Sequence, residues 1–111
     1  MKLLVYVMNN VDMLEKFIHE IKLKNIKGAT IIESTGMGRV LIGNEDLDFV
    51  GSLKVLFDNP RAQSRTLLMA LEDQQIPDVL EVIDLVAGDL SRPNSGIVFT
   101  LPIDFIKGYK K

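Results

Sequence analysis

Two arginines that stand beside glycine-rich stretches are the residues of this sequence whose types and spacing suit chemistry. Arg39 follows Gly36 and Gly38, and Arg92 precedes a loop that ends at Gly96. A guanidinium group pairs in a fork-like way with phosphate or carboxylate, and glycine lets backbone amides approach such a group closely. We expect an anionic small molecule to bind between subunits, against the Gly36 to Arg39 turn of one chain and the Arg92 to Gly96 loop of a neighbour. The alternative is that both arginines are solvated and that the glycines only shape turns.

Composition excludes several other kinds of chemistry. The 111 residues suit a single domain, 1–111, and their 47% hydrophobic and 25% charged content is that of an ordinary globular protein. The net charge of -2 argues against a dedicated nucleic-acid-binding protein. Because there is no cysteine, neither a disulfide nor a zinc–thiolate site can form. The apolar run near the N-terminus is too short for a signal peptide or a membrane span, so we expect a cytoplasmic protein.

Hydrophobic periodicity predicts the order strand, helix, strand, strand, helix, strand. Alternation every two residues marks the strands, and apolar spacing of three and four residues marks the helices. We expect Asn9 to cap the first helix, with Asp12 in its first turn. Pro77 and Gly88 fit the start and the end of the second helix. The predicted strands are 2–8, about 29–34, 65–72 and 96–103, and the predicted helices are 11 to about 24 and 76 to about 87.

The segment between the second and third strands has a weaker pattern. Four large apolar residues in it fit one face of a short helix: Phe49, Leu53, Leu56 and Phe57. Apolar anchors oppose disorder, so we expect residues 41–63 to form a compact connection that docks on the body. The alternative is a mobile effector loop.

The order of elements is that of two split β-α-β units. It predicts an α+β fold, a ferredoxin-like βαββαβ sandwich with an antiparallel four-stranded sheet and two helices on one face. The other face of such a sheet is usually polar, yet these strands are apolar on both faces. The first strand points Leu3, Val5 and Val7 to one side, and Leu4, Tyr6 and Met8 to the other. A large apolar face is rarely left wet on a monomer, so we expect the sheet to pack against copies of itself.

Two stretches resemble the PII signal-transduction family of nitrogen regulatory proteins. Residues 25–39, NIKGATIIESTGMGR, resemble the family's segment from the first helix into the base of its long T-loop. Residues 95–104, SGIVFTLPID, resemble its fourth strand after the B-loop. The resemblance implies a ferredoxin-like homotrimer with inward-facing sheets. Such a trimer binds a small-molecule effector, often an adenine nucleotide with 2-oxoglutarate, between subunits, and regulates a partner protein such as a membrane transporter or an enzyme.

By position, the resemblance assigns two groups of ligand-binding residues. One group matches the family's cleft segment at the base of the T-loop: Thr30, Gly36, Met37, Gly38 and Arg39. The other group matches the phosphate-holding B-loop, with the arginine before it: Arg92, Asn94, Ser95 and Gly96. Lys107 and Lys110 lie near basic C-terminal positions of the family.

The chain departs from the family where a ligand would be held. The family's B-loop reads Gly-Asp-Gly-Lys, whereas the matching residues of this chain are Asn94, Ser95, Gly96 and Ile97. The lysine that faces the phosphates in the family is therefore absent. Val40 replaces a glutamine that helps to hold metal and 2-oxoglutarate, and the modifiable T-loop tyrosine has no counterpart. We expect a divergent member that is not nucleotidylated and that holds a triphosphate weakly, with an adenine nucleotide as the candidate ligand.

Two other functions fit the same architecture. A divalent-cation-binding trimer like the CutA-like proteins shares it, but one histidine, no cysteine and five methionines are poor soft-metal ligands. An enzyme would need a base, a nucleophile and an orienting group together, and the acidic residues are scattered, so we expect no catalysis. His19, on the outer face of the first predicted helix, is expected to be solvated.

Overall fold

The structure, a computed structural model, describes residues 1–36, 63–88, 90–91 and 95–109. Within these residues the elements follow the predicted order. Single 3-10 turns, Val11–Met13 and Asp73–Gln75, lead into the two helices. The strands and helices are β1 (Lys2–Met8), α1 (Leu14–Leu23), β2 (Thr30–Thr35), β3 (Gln63–Leu71), α2 (Ile76–Ala87) and β4 (Gly96–Pro102).

The described strands form one antiparallel sheet in the order β2-β3-β1-β4. β1 lies in the centre, where Val5 pairs with Leu68 of β3 on one side and with Phe99 of β4 on the other. β2 is an edge strand and pairs with β3. An antiparallel four-stranded sheet with two helices confirms the predicted α+β class and is compatible with the ferredoxin-like sandwich.

Both helices contribute to a single apolar core on one face of the sheet. Alternate residues of the two central strands are buried there, as the two-residue period of a strand requires. Fully burying one such side chain contributes about 1.5–3 kcal/mol to stability. The core residues from the sheet are Leu4, Tyr6, Met8, Leu67, Met69 and Leu71, and those from the helices are Phe17, Ile21, Val79, Val82, Ile83 and Val86.

The opposite side of the sheet, which we call the open face, is apolar as well. The pairing register places one apolar set there: Leu3, Val5, Val7, Ile32, Leu68, Ala70, Ile97, Phe99 and Leu101. In the single chain Ile97, Phe99 and Leu101 remain 56%, 43% and 47% exposed. The prediction that the strands are apolar on both faces of the sheet is therefore confirmed. Self-association through the open face stays a prediction.

The helix boundaries agree with the sequence except at one cap. Asn10, and not the predicted Asn9, caps the first turn, because its side chain accepts a hydrogen bond from Asp12 N at 3.1 Å. The 3-10 turn begins at Val11, where the helix was expected to start, so the residue directly before it, Asn10, takes the cap position. Pro77 lies in the first turn of α2, and Gly88, with φ of 73°, ends that helix as predicted. Neither α1 nor α2, the helices of the described residues, is long and apolar enough to cross a membrane.

Two predictions on the region before β3 have different outcomes. The third strand was expected at residues 65–72, but β3 runs from Gln63 to Leu71. It begins two residues earlier because Gln63 and Ser64 pair with the end of β2. The apolar turn predicted at Phe49 to Phe57 lies outside the described residues, so the compactness of residues 41–63 stays a prediction.

Candidate functional site

The two predicted anion-binding stretches lie at the same end of the sheet but at opposite edges. Gly36 follows β2, and Gly96 begins β4 opposite Met8. β3 and β1 lie between them, so about three strand spacings, roughly 14 Å, separate the two glycines. Within one chain, the fold therefore does not bring Gly36 and Gly96 together.

Five of the nine predicted ligand residues lie outside the described residues: Met37, Gly38, Arg39, Arg92 and Asn94. The four that the structure places are Thr30, Gly36, Ser95 and Gly96. Thr30 begins β2 and Gly36 follows its other end, so about 20 Å of extended strand separates them. Within one chain, then, Thr30 does not meet the two glycine stretches.

Gly96 has a structural role that explains its residue type. Its φ is 121°, and a Cβ atom at this position would lie 2.6 Å from the carbonyl oxygen of Val7. Only glycine fits such a conformation against the neighbouring strand without strain. Its presence at the start of β4 is thus explained by the fold and is not in itself a sign of a ligand.

The hydroxyl group of Ser95 is also engaged within the chain. Ser95 Oγ donates a hydrogen bond to the carbonyl oxygen of Leu90 at 3.0 Å. This bond joins two residues of the connection between α2 and β4. A phosphate-binding role for this hydroxyl would require that bond to be exchanged.

A cluster of three hydroxyl groups, which the sequence analysis missed, lies on the open face beside Gly36. Ser34 Oγ is 2.8 Å from Ser64 Oγ and 2.9 Å from Thr66 Oγ1. Hydrogen bonds of this kind between neighbouring strands stabilise a sheet. The cluster therefore fixes the exit of β2, where the predicted ligand segment begins. In the sequence the cluster is marked only by two polar residues two apart, Ser64 and Thr66. They indicate a cluster only once the pairing of β3 with β2 is known.

A cleft of about 600 Å³ opens at the other end of the sheet, and Thr30 lines it. That volume lies within the usual range for small-molecule sites, about 300–1,000 Å³. The connection from α1 to β2, residues 25–29, forms one side. The end of β3, the turn from Glu72 to Gln75, and Gly108 with Tyr109 complete the lining.

The cleft exists because β2 is shorter than β3 at this end. Thr30 is the first residue of β2 to pair with β3, and its partner is Leu68. β3 continues to Leu71, which pairs with Lys2 on the other side. Residues 69–71 therefore have no partner in β2 among the described strands, and their main-chain edge is turned toward the cleft.

The helix end before β2 sets the path of that connection. Asn25 takes a left-handed conformation, with φ of 61°. Its amide donates to the carbonyl oxygen of Lys22 at 3.0 Å, and the Ile26 amide donates to that of Ile21 at 3.3 Å. This is the Schellman pattern, in which a left-handed residue ends a helix. Buried Ile26 then anchors the chain before it enters the cleft wall.

The lining of the cleft carries a small set of charged and polar side chains. Lys27 and Glu72 give it one cation and one carboxylate, and Gln74 adds an amide side chain. Gln75 is engaged, because its Oε1 accepts from Glu72 N at 2.8 Å in a capping box. Within the described residues, no group of three His, Asp or Glu side chains is arranged to hold a metal ion.

Neither a scan against protein-family models nor a search of curated proteins gave a match for this chain. The PII resemblance therefore remains an expectation that depends on residues 25–39 and 95–104.

Two further residues outside the cleft bear on chemistry. His19 is exposed on α1, as predicted. Tyr6 is fully buried, and its hydroxyl has no hydrogen-bond partner among the described residues. Burial raises the pKa of Tyr6 above its ordinary value near 10. Since Tyr6 does not line the cleft, these properties concern stability and not the candidate site.

Proposed function

We propose that this protein is a divergent PII-like regulatory protein that acts in the cytoplasm. It is a homotrimer that senses a small anionic ligand, an adenine nucleotide by our expectation. It works through a partner protein, either an enzyme or a membrane transporter, and has no catalytic activity of its own. It does not act on nucleic acid.

The cleft is bordered by one of the two stretches that resemble the PII family. Residues 25–39 resemble the family's run from the first helix into the base of its T-loop, and their first six residues line the cleft at the Thr30 end of β2. The same stretch continues along β2 to Gly36, where the ligand loop is expected. A segment identified by resemblance alone thus borders the cleft that the fold forms.

The open face supports the oligomeric part of the proposal. Leaving Ile97, Phe99 and Leu101 about half exposed is unfavourable for a free monomer. Three copies packed sheet to sheet would remove these side chains from water. Cyclic symmetry also brings a different surface of a neighbour to each chain. That neighbour can supply the second arginine loop of the site.

The missing lysine shapes the expected ligand preference. Ile97 stands where the family has a lysine toward the phosphates, and losing one charge-assisted hydrogen bond costs about 1.5–3 kcal/mol. We therefore expect triphosphate to be held roughly 10- to 150-fold more weakly than with that lysine present. Arg39 and Arg92 remain to pair with a phosphate or carboxylate group.

Calorimetry with ATP, ADP, AMP and cyclic nucleotides tests the proposal, beside a titration with divalent cations. We expect at least one nucleotide to bind and Arg39→Ala to weaken it. A nucleotide that binds Arg39→Ala as tightly as the parent would place the anion site elsewhere. Cation binding without nucleotide binding would favour the CutA-like alternative.

Sedimentation equilibrium tests the assembly. A trimer of the 12.4 kDa chain is expected at micromolar concentration. A monomer under those conditions would contradict the proposal. A dimer would satisfy the burial of the open face but would contradict the PII-like assembly.

A further inference from the structure

The segment that follows β4 returns across the end of the sheet to the cleft. It leaves β4 beside β1, where the Ile103 amide donates to the carbonyl oxygen of Met1 at 3.2 Å. Gly108 and Tyr109 then line the cleft together with Gly28 and Thr30. Because β1 lies between β4 and β3, the segment passes the end of β1 to reach the cleft beside β3.

A glycine sets the turn that delivers Tyr109. Gly108 has φ of 89°, which L side chains rarely adopt. A Cβ atom at this position would have no heavy atom within 4 Å. The glycine is therefore required by the backbone conformation and not by crowding.

Tyr109 adds an aromatic ring to a cleft that already has apolar and polar sides. Leu68 and Ala70 of β3 supply apolar surface, and Thr30 and Gln74 supply groups that donate and accept hydrogen bonds. An aromatic ring stacks readily on another flat ring. Hydroxyl, amide and main-chain groups can satisfy the polar edge of a heteroaromatic ring, as in the recognition of nucleobases.

We propose that Tyr109 is a ligand-contacting residue of this cleft and that it packs against a flat heteroaromatic ring of the ligand. This inference rests on the proposed function, because it requires a ring-bearing small anion such as a nucleotide. It goes further in assigning the ring contact to the chain's own C-terminal segment.

Replacement of Tyr109 tests the contact, with AMP, ADP and ATP as the probes. Loss of one ring–base stack weakens binding roughly 5- to 150-fold. Tyr109→Ala and Tyr109→Leu should both show that loss in calorimetry, because leucine keeps apolar surface but has no ring. Tyr109→Phe should bind like the parent. Phe105→Ala is the matched control, since Phe105 is an 80% exposed aromatic of the same segment that does not line the cleft.

Tyrosine fluorescence gives a second readout. The chain has two tyrosines and no tryptophan, so Tyr6→Phe leaves Tyr109 as the sole fluorophore of this kind. Adding nucleotide should change the tyrosine emission of Tyr6→Phe, which comes from Tyr109. It should not change the emission of Tyr109→Phe, which comes from Tyr6.

The outcomes separate this inference from the function beneath it. If a nucleotide binds the parent and binds Tyr109→Ala and Tyr109→Leu equally well, the inference is overturned and the proposed function stands. If no probe nucleotide binds the parent, the nucleotide-sensing function is overturned and the inference falls with it. Equal loss in Tyr109→Ala and Phe105→Ala would assign the effect to the segment as a whole and would also overturn the ring contact.

Discussion

The rings of Tyr6 and Phe17 lie 5.3 Å apart between centroids and are tilted by 53°. This aromatic pair joins the central strand to α1 inside the core. The Tyr6 hydroxyl, however, is buried without a hydrogen-bond partner among the described residues. A buried polar group without a partner costs about 1–3 kcal/mol, so the ring of Tyr6 stabilises the fold and its hydroxyl opposes it.

Tyr6→Phe should therefore leave the free energy of unfolding unchanged or raise it by roughly 1 kcal/mol. Urea unfolding followed by circular dichroism measures the difference. Tyr6→Ala is the contrasting variant and should lose about 3–5 kcal/mol, because it removes the whole ring. A loss of more than 1 kcal/mol in Tyr6→Phe would mean that the hydroxyl has a partner.

Alkaline pH should destabilise the parent through the same residue. Burial raises the pKa of Tyr6 in the folded state above the value near 10 of the unfolded chain. Above that value the unfolded chain releases the proton while the folded chain still holds it. The free energy of unfolding then falls as pH rises from about 10 toward the folded pKa. Urea titrations across this range should show a shallower decline for Tyr6→Phe; parallel curves for the two proteins would contradict the prediction.

Aspartate substitutions should distinguish the roles of the two faces of the sheet. Phe99→Asp lies on the open face and should reduce self-association while the monomer stays folded. Leu4→Asp places a carboxylate in the core, where an unpaired charge costs several kcal/mol of a total stability of roughly 5–15 kcal/mol. It should unfold the chain.

Sedimentation and circular dichroism together measure those two effects. Leu68→Asp, also on the open face, should behave like Phe99→Asp. If both open-face variants keep the parent's mass and solubility, the open face is not the interface between copies.

Two glycine-to-alanine variants form a matched pair for stability. Gly96→Ala places a methyl group 2.6 Å from Val7 O at φ of 121°, and such strain costs about 1–3 kcal/mol or more. At Gly28 a Cβ atom has no heavy atom within 4 Å, so Gly28→Ala should be close to neutral. Thermal unfolding measures both changes, and equal stability of the two variants would show that the strand pairing at Gly96 can relax.

Ser34→Ala should weaken the exit of β2. It removes the hydroxyl shared by Ser64 and Thr66 and leaves buried Ser64 with one partner fewer. We expect a loss of about 1 kcal/mol and faster amide exchange at the end of β2. Thr35→Ala, an exposed neighbour on the same strand, is the control. Exchange rates that match the parent in Ser34→Ala would contradict the role of the cluster.

Local patterns predicted most of the fold because they act within a few residues. Period-two alternation located β1 and β4 and revealed two apolar faces, and Gly88 marked the end of α2. The cap was misplaced by one residue, at Asn9 instead of Asn10, because either amide side chain suits that position. The order of the elements then limited the topology to very few arrangements.

The cleft and the hydroxyl cluster could not be predicted in the same way. Both depend on the register of β2 against β3, which joins residues far apart in the sequence. The cleft forms because pairing stops at Thr30 and Leu68, and nothing local to either residue signals that stop. Tyr109 reaches the cleft through a path across the sheet that leaves no periodic pattern.

The position of β1 in the middle of the sheet has a consequence for synthesis. β1 precedes both of its partner strands, because it pairs with β3 and with β4, whose residues are made later. Until Gly96–Pro102 emerge, one main-chain edge of a strand that is apolar on both sides has no partner in the chain. Such an edge invites pairing with other chains, and contacts so distant in sequence form slowly. A nascent chain that contains β1 but not yet β4 therefore exposes an edge that the folded protein covers.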